Sequence, residues 1–385
     1  MTGIRSRPAA YDKKVALILQ GGGALGSYQA GFYEALANSE YLPDWVAGIS
    51  IGGINAALIA GNPPERRVDR LCAFWDEVTS NHAPWPPLAT GFSEFDRRVG
   101  AASAVLLGQP GFFNPWPPAD WLLGRPRVSY YDTAPLKRTL ERLIDFDLIN
   151  SKAVRFSVGA VNVRTGNFAY FDNARTHIRV EHVMAGGALP PGFEAIEIDG
   201  EFYWDGGLVS NTPLQYVLEE NPRRSHLVFQ IDLFPAHGPI PENLDQVGER
   251  DKDIRYSSRT RAATNAFRDL HNIRRRLGDL LAILPEDLRQ SSEARHLRDF
   301  AYMTSIDIVE LIYRPREPQG EAKDYEFSRG TMLERWAEGR ADGAETLDQA
   351  PWLEPVAPGI GVRTFDVRAG KARRRPDDLV RSPPC

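Results

Sequence analysis

The chain of 385 residues has only two cysteines, Cys72 and Cys385, and no hydrophobic run long enough to cross a lipid bilayer. Two cysteines this far apart do not make the framework of a disulfide-rich secreted domain or a cysteine metal cluster. The longest apolar runs, residues 15–19 and 54–60, are far shorter than the roughly 20 residues that span a bilayer. The sequence therefore predicts that the protein is not integral to a membrane, and the reducing cytoplasm is its expected location.

The sequence also lacks a strong excess of acidic or basic residues. Lys and Arg total 46 against 51 Asp and Glu, for a net charge of −5, while 25% of the residues are charged and 42% are hydrophobic. This is the balance of an ordinary globular protein, so we expect neither a largely disordered chain nor a general nucleic-acid surface. The length allows two or three domains, or one large α/β unit with attachments.

Apolar strands that alternate with helical patterns predict an α/β fold. A strand at 15–20 is followed by three glycines and a helix, and a strand at 45–49 is followed by Ser50 and a helix at 51–60. Strands that alternate with helices in this way imply a mainly parallel sheet with both faces covered. We therefore expect a three-layer α/β/α domain at 14–240.

The rest of the chain is expected to add attachments to this domain. Residues 1–13 are predicted to be a flexible tail. The segment at about 80–130 is rich in Pro and aromatic residues, and it is predicted to be an irregular insertion that either covers the site or caps the core. A mostly helical carboxyl-terminal extension is expected at 241–345 and an irregular tail at 346–385.

The strongest motif is Gly48-Ile49-Ser50-Ile51-Gly52, a G-x-S-x-G sequence between a predicted strand and a predicted helix. In a nucleophile elbow, a sharp turn between a strand and a helix exposes the serine hydroxyl at the carboxyl end of the strand. Small residues two before and two after the serine let the strand and the helix approach closely. The motif predicts that Ser50 is a nucleophile, with a plain surface turn as the alternative.

Three glycines, Gly21, Gly22 and Gly23, follow the neighbouring strand and are expected at the same sheet edge as Ser50. Their unhindered amides can supply an oxyanion hole, with a tight turn as the alternative. Residues 21–26 also fit the G-x-G-x-x-G pattern of nucleotide-binding proteins. That fold needs an acidic residue at the end of the second strand, and no acidic residue stands there, so we favour the oxyanion hole.

A serine nucleophile needs a proton acceptor, and Asp205 is the candidate. It follows the predicted strand at 201–204 and precedes Gly206 and Gly207, at the end of a strand where the sites of α/β proteins assemble. By itself an Asp-Gly pair indicates no more than a turn.

Together the three motifs resemble the patatin-like phospholipase family, in the family's order and over about residues 14–235. The resemblance implies a patatin/lysophospholipase-like fold and a Ser–Asp dyad. Ser50 would be the nucleophile, Asp205 its base, and the amides of Gly21 to Gly23 the oxyanion hole. It implies a serine lipid acyl hydrolase of the esterase, phospholipase A or lysophospholipase type, with no metal and no organic cofactor.

The same resemblance extends past the aspartate and includes two departures. It implies that Gly206 and Gly207 support the loop and that Asn211 ties it down before the next helix. Leu25 stands where many members have Lys or Arg, which makes a neutral ester more credible than a phospholipid as the substrate. Gly186 stands where Ser or Thr is usual. The region beyond 250 resembles a carboxyl-terminal extension found on some bacterial members.

Two other functions stay open. An α/β-hydrolase with a Ser-Asp-His triad would need a histidine, for which the candidates are His226, His237, His271 and His296. That fold places several strands before its nucleophile, whereas only 49 residues precede Ser50. The second alternative is a non-catalytic lipid-binding protein with a relic site, which would be inert toward serine-directed reagents.

We expect a lipid or another acyl ester as the substrate and no nucleic acid as a partner. Peripheral contact of this cytoplasmic protein with a membrane is left open, and the sequence makes no prediction of oligomeric state. Acyl length, head group and positional preference are equally open.

Overall fold

The computed structural model describes residues 11, 13–80, 94–123, 127–220, 224–301, 304–315, 318–356 and 360–368. Within these residues the chain forms eleven strands and thirteen α-helices. The strands are β1 (Lys14–Leu19), β2 (Trp45–Ile49), β3 (Asn114–Pro115), β4 (Tyr131–Asp132), β5 (Arg155–Asn162), β6 (Phe168–Asp172), β7 (Ile196–Ile198), β8 (Glu201–Asp205), β9 (His226–Asp232), β10 (Ile306–Ile312) and β11 (Val362–Phe365). The helices are α1 (Gly26–Ala37), α2 (Ile51–Ala60), α3 (Arg67–Val78), α4 (Glu94–Leu107), α5 (Pro118–Leu122), α6 (Ala134–Leu143), α7 (Phe146–Asn150), α8 (Val180–Gly186), α9 (Leu214–Leu218), α10 (Leu244–Ile283), α11 (Glu286–Arg289), α12 (Ser292–Arg298) and α13 (Arg329–Gln349).

A nine-stranded sheet lies at the centre, in the order β11-β10-β9-β1-β2-β5-β8-β7, with β6 paired to β5. Neighbouring strands from β11 to β5 are all parallel. The pairs β5–β6, β5–β8 and β7–β8 are antiparallel. Because Leu19 lies opposite Gly48 in the β1–β2 pair, the loops that follow these two strands lie side by side at one sheet edge.

Helices cover both faces of this sheet. Val15, Leu17 and Leu19 of β1 point into the larger core cluster, which includes side chains of α1, α2, α3 and α13. Ala16 and Ile18 point the other way, into a smaller core formed with α9 and α10. This alternation along one strand is typical of a sheet buried on both sides. The predicted three-layer α/β/α fold is confirmed.

Helix α13, from the carboxyl-terminal region, packs directly against α1. A Cβ atom on Gly31 would overlap the carbonyl of Trp336, and one on Gly339 would overlap the carbonyl of Tyr28, so only glycine allows this approach. Trp336 Nε1 also donates a hydrogen bond to Glu34 Oε2 at 2.6 Å. The carboxyl-terminal region therefore supplies part of the helical layer that covers one face of the sheet.

The carboxyl-terminal region is mostly helical, as expected, and it also extends the central sheet. The apolar run at 305–313 predicts a strand, and strand β10 forms there and pairs with β9. The tail expected to be irregular at 346–385 includes the end of α13 and strand β11, which pairs with β10 through Ile306 opposite Val362. A four-residue strand shows too little alternation to be recognised without its partner.

Two further segments contain more regular structure than the sequence pattern indicates. The apolar spacing at 263–284 predicts a helix, and this helix forms as the second half of the 40-residue helix α10, whose amino end is capped by Asn243 accepting a hydrogen bond from Gln246 N. The insertion at about 80–130 is partly regular, with α4, α5 and the short β3–β4 pair, while residues 81–93 lie outside the described residues. Most of the expected tail 1–13 also lies outside them.

None of the described helices has both the length and the apolar composition required to cross a bilayer.

Candidate active site

Ser50 lies at a tight turn between β2 and α2, with φ 54° and ψ −128°. This conformation is strained for a residue with a Cβ atom, and strain of this kind is often found at functional positions. A Cβ on Gly48 would overlap the backbone of Gly52, and one on Gly52 would overlap the carbonyl of Leu19. The two glycines therefore let β2, α2 and β1 come together so closely that Ser50 projects at the sheet edge.

Asp205 is the last residue of β8 and its side chain is buried, with 1% of the residue exposed. Its Oδ1 accepts a hydrogen bond from Gly207 N at 2.7 Å, and the Ser50 side chain is close enough to lower the pKa of this carboxylate. Burial has the larger effect and raises the pKa of Asp205 to about 6, although Ser50 and the N–H of Gly207 lower it. Such a carboxylate is ionised at neutral pH and more basic than an exposed one, as a general base requires.

The glycine loop, which we define as Gly21 to Gly23, adjoins Ser50 and Asp205, but its three amides are not equivalent. Gly21 N donates to the carbonyl of Asn211 at 3.2 Å, and Asn211 Nδ2 donates back to the carbonyl of Gly21 at 3.0 Å. The amide of Gly21 is therefore engaged, which differs from the expectation that all three amides face an oxyanion. Among the hydrogen bonds of the described residues, none uses the N–H of Gly22 or Gly23.

Gln20 fixes the base of the glycine loop, although the sequence motifs do not point to it. Its Oε1 accepts hydrogen bonds from Leu233 N at 2.6 Å and Phe234 N at 3.2 Å, and its Nε2 donates to Thr212 Oγ1 at 3.1 Å. The side chain thus ties together the segments that follow β1, β8 and β9. A polar residue that ends an apolar strand is the only sequence signal for this role.

Ser50, Asp205 and the glycine loop open into one cavity of about 320 Å³ with mainly apolar walls. Its other lining residues are Ile51, Ile54, Ala104, Val105, Phe112, Phe113, Tyr131, Gly187, Leu189, Pro190, Pro191, Gly192, Phe193, Gly207, Asn211, Phe234, Tyr256, Asp324, Tyr325 and Phe327. No lysine, arginine or histidine of the described residues lines it. An apolar cavity beside a few polar groups is the usual form of a site for a small organic ligand or an acyl chain.

The insertion contributes to the wall of this cavity. Phe112 and Phe113 are buried, and Phe113 packs against Phe193 and Tyr131 with ring centroids 5.4 Å and 4.7 Å apart. These aromatic side chains point inward and also line the cavity, so the two alternatives for the insertion are compatible at this point. Two other aromatic residues of the insertion, Trp85 and Phe92, lie outside the described residues.

None of the candidate histidines meets Ser50. His226 begins β9, opposite Lys14 at the start of β1, and therefore lies at the sheet edge away from Ser50. His271 Nε2 lies 3.1 Å from the carbonyl of Thr304. His237 lines a second cavity, of about 240 Å³, and His296 is exposed on α12.

Leu25 and Gly186, where the sequence departs from the pattern of the family that it resembles, both have structural roles. Leu25 is fully buried in the larger core. The carbonyl of Gly186 accepts a hydrogen bond from Ser50 N at 3.1 Å, so this residue supports the elbow through its backbone. A Cβ there would overlap the side chain of Val158, and a larger residue would need that valine to move. Within the described residues, no group of three or more His, Cys, Asp or Glu side chains could hold a metal ion.

Comparison with known proteins gives a match to two family models. A model described as patatin-like phospholipase matches residues 17–218, and one described as patatin phospholipase matches residues 254–359. The first covers the elbow, the glycine loop and Asp205, and the second covers most of α10, β10 and α13. No curated protein matches the chain.

Two solved structures have weak similarity to this chain. VipD from Legionella pneumophila is 14% identical, with 90% of this chain and 68% of that chain covered and a TM-score of 0.37. The heterodimeric ExoU–SpcU complex from the type III secretion system of Pseudomonas aeruginosa is 16% identical, with 76% of this chain and 59% of that chain covered and a TM-score of 0.28. Both TM-scores are too low to indicate more than a loose likeness.

Proposed function

Because the chain belongs to the patatin-like phospholipase family, whose model matches more than half of it, we propose that it hydrolyses lipid acyl esters with a Ser50–Asp205 dyad. The observation that carries the proposal is that Ser50, at its strained turn, and the buried carboxylate of Asp205 line one apolar cavity, where Ser50 lowers the pKa of that carboxylate. Membership of the family supports lipid hydrolysis in general. The dyad, the oxyanion hole and the type of ester are parts of the proposal.

In the proposed reaction, Asp205 accepts the hydroxyl proton as Ser50 Oγ attacks the ester carbonyl carbon. The N–H groups of Gly22 and Gly23 stabilise the tetrahedral oxyanion, and the amino end of α2 behind Ser50 favours the same negative charge. Collapse of the intermediate breaks the ester C–O bond, and the proton held by Asp205 passes to the leaving alkoxide. Water then attacks the acyl carbon as Asp205 accepts its proton. The bond between Ser50 Oγ and the acyl carbon breaks, the proton passes from Asp205 to Ser50 Oγ, and the fatty acid is released.

The cavity wall favours an uncharged substrate. No lysine or arginine of the described residues lines the cavity, and the charged side chains that do line it, Asp205 and Asp324, are acidic. A phosphate group would meet no opposite charge at this wall, and it would lose hydration on entry. We therefore infer that neutral short- or medium-chain acyl esters are better substrates than intact diacyl phospholipids.

The first experiment tests whether the serine reacts. We expect a fluorophosphonate reagent to label the purified protein, with the label mapped to Ser50 by peptide mass spectrometry. Ser50→Ala and Asp205→Asn should each reduce esterase turnover by several orders of magnitude while circular dichroism shows an intact fold. A full-length protein that stays unlabelled would instead support a non-catalytic lipid-binding protein.

Histidine variants supply the matched control. His226→Ala and His237→Ala should keep esterase turnover within about threefold of the wild type, because neither side chain reaches the cavity. A folded histidine variant as inactive as Ser50→Ala would point to a triad.

A side-by-side assay of neutral esters and diacyl phospholipids tests the substrate class. A tenfold preference for the phospholipid would contradict the inference that neutral esters are better substrates.

A further inference from the structure

A loop from the carboxyl-terminal region lies directly against the glycine loop. We call residues 319–327 the bracing loop. A Cβ on Gly23 would overlap the carbonyl oxygen of Asp324, so the two backbones touch at this point. Gly23 has φ +55° and is one of the two proposed oxyanion donors. The bracing loop is far from the catalytic motifs in sequence but in contact with them in the fold.

Buried polar groups hold the bracing loop on α10. The carboxylate of Glu249 accepts hydrogen bonds from Gln319 N at 3.2 Å and Gly320 N at 2.9 Å. Lys323, with 1% of its side chain exposed, donates to Glu249 at 3.3 Å and to Asp253 at 2.5 Å. A buried network in which these charges are paired fixes one backbone conformation, because any other arrangement leaves a buried charge without its partner.

Helix α13 holds the same loop from the other side. Arg335 is buried and donates hydrogen bonds to the carbonyls of Lys323 at 3.0 Å and Glu326 at 3.3 Å. Lys252 Nζ of α10 adds a hydrogen bond to the carbonyl of Glu321 at 2.7 Å. The loop is therefore clamped between α10 and α13, and its side chains have defined positions.

The clamped loop places Phe327 in the aromatic part of the cavity wall. Phe327 is 4% exposed, lines the cavity, and packs against Phe112 with ring centroids 5.8 Å apart. Phe112 in turn packs against Phe193 at 6.0 Å. These three rings come from three distant parts of the chain, and together they form an apolar wall on which an acyl chain can lie.

From these contacts we propose that the carboxyl-terminal region completes the acyl-binding cavity and that Phe327 is a specificity-determining residue that limits acyl length. This inference rests on the proposed esterase function and adds a role for a region outside the catalytic motifs. A smaller side chain at 327 opens space in this aromatic wall, and each further buried methylene improves binding by about fourfold. A larger side chain removes that space.

The test compares acyl-length selectivity in variants of the full-length protein. The substrates are p-nitrophenyl acetate, butyrate, octanoate and palmitate, and the measured quantity is the ratio of kcat/KM for palmitate to kcat/KM for butyrate. Phe327→Ala should raise this ratio by about tenfold, and Phe327→Trp should lower it. Phe327→Leu, which keeps most of the core packing, should raise it by a smaller factor and serves if the alanine variant does not fold.

Phe267→Ala is the matched control. Phe267 is a buried phenylalanine of α10 in the smaller core, on the other face of the sheet, and it does not line the cavity. This variant should leave the ratio unchanged even if it lowers stability. Active, folded variants at 327 whose ratio equals that of the wild type would overturn the inference alone. A wild type that cleaves none of the esters would overturn the proposed function instead.

Discussion

At the scale of single residues, the burial of Asp205 has a cost for stability that can be measured. Its pKa of about 6 in the folded protein lies above the ordinary value of 3.8, because desolvation disfavours the ionised carboxylate. The folded state therefore holds the proton more tightly than the unfolded state. Stability from this group is highest below pH 4 and falls as the pH rises toward 6, and it stays low above that.

We predict that Asp205→Asn makes the protein more stable at about pH 8 and has little effect near pH 4. A shift of about two pKa units corresponds to about 3 kcal/mol, so a gain of about 1–3 kcal/mol is expected at the higher pH. Urea denaturation of both proteins at the two pH values gives the difference in free energy of unfolding. A variant that is less stable than the wild type at pH 8 would show that the ionised carboxylate is well compensated.

Asp232 supplies a control that separates stability from catalysis. It is also buried, and desolvation together with Glu310 raises its pKa to about 7, but it does not line the cavity. Asp232→Asn should therefore also stabilise the protein at about pH 8, while its esterase turnover stays near that of the wild type. Loss of turnover in this variant would show that neutralising a buried carboxylate outside the cavity also disturbs the site. The loss of turnover in Asp205→Asn would then not identify Asp205 as the base.

At the scale of secondary structure, the crossing of β1 and α2 at Gly52 determines where the serine lies. A Cβ on Gly52 would overlap the carbonyl of Leu19 and press on that of Gln20, and neither backbone group can move without disturbing the sheet. We predict that Gly52→Ala costs at least about 3 kcal/mol in the free energy of unfolding and abolishes esterase activity. Chemical denaturation and a p-nitrophenyl butyrate assay measure the two effects.

The control for this substitution is another glycine without such a neighbour. A Cβ on Gly187 would have no contact closer than 3.8 Å, to the carbonyl of Met184. Gly187→Ala should change the free energy of unfolding by less than about 1 kcal/mol. Similar losses in the two variants would show that backbone freedom, and not the close approach at Gly52, determines the effect.

Elements with a strong local pattern were predictable from the sequence, and those defined by distant partners were not. Strand β2 and helix α2 have the predicted bounds because an apolar run, a G-x-S-x-G turn and a small-residue helix follow one another directly. Strand β7 has three residues and shows no periodicity of its own. The engaged amide of Gly21 depends on Asn211, which is 190 residues away, so no local motif could indicate it.

At the scale of the whole molecule, the carboxyl-terminal region is part of the main fold. It contributes β10 next to β9, and it contributes Trp336 and Trp352, both buried in the larger core. Truncation after residue 243 would expose the edge of β9 and the face of α1. We predict that the truncated chain is insoluble or lacks a cooperative unfolding transition, whereas the full-length chain unfolds cooperatively. A soluble, cooperatively folding fragment would show that the region is a separable extension.

We predict that the apolar surface around the cavity contacts lipid aggregates. Val105 lines the cavity, and the next two residues of α4, Leu106 and Leu107, are 72% and 64% exposed. Ile273 of α10 is equally apolar and 64% exposed, but it lies seventeen residues beyond Tyr256, the cavity residue of that helix, or about 25 Å along its axis. Exposed apolar groups beside a substrate cavity can enter a lipid surface and bring the cavity to its substrate.

We predict that the Leu106→Ser, Leu107→Ser double variant loses at least about fivefold of its activity on an ester held in neutral phosphatidylcholine vesicles. Its activity on soluble p-nitrophenyl butyrate should not change, because two exposed leucines contribute little to the fold. Ile273→Ser is the matched control and should leave both activities at the wild-type level. In sedimentation with the same vesicles, the wild type and Ile273→Ser should bind equally well, and the double variant should bind less. If Ile273→Ser lost vesicle activity while the double variant kept it, the lipid surface would have to meet α10, and the apolar end of α4 would be no more than an exposed edge of the cavity wall.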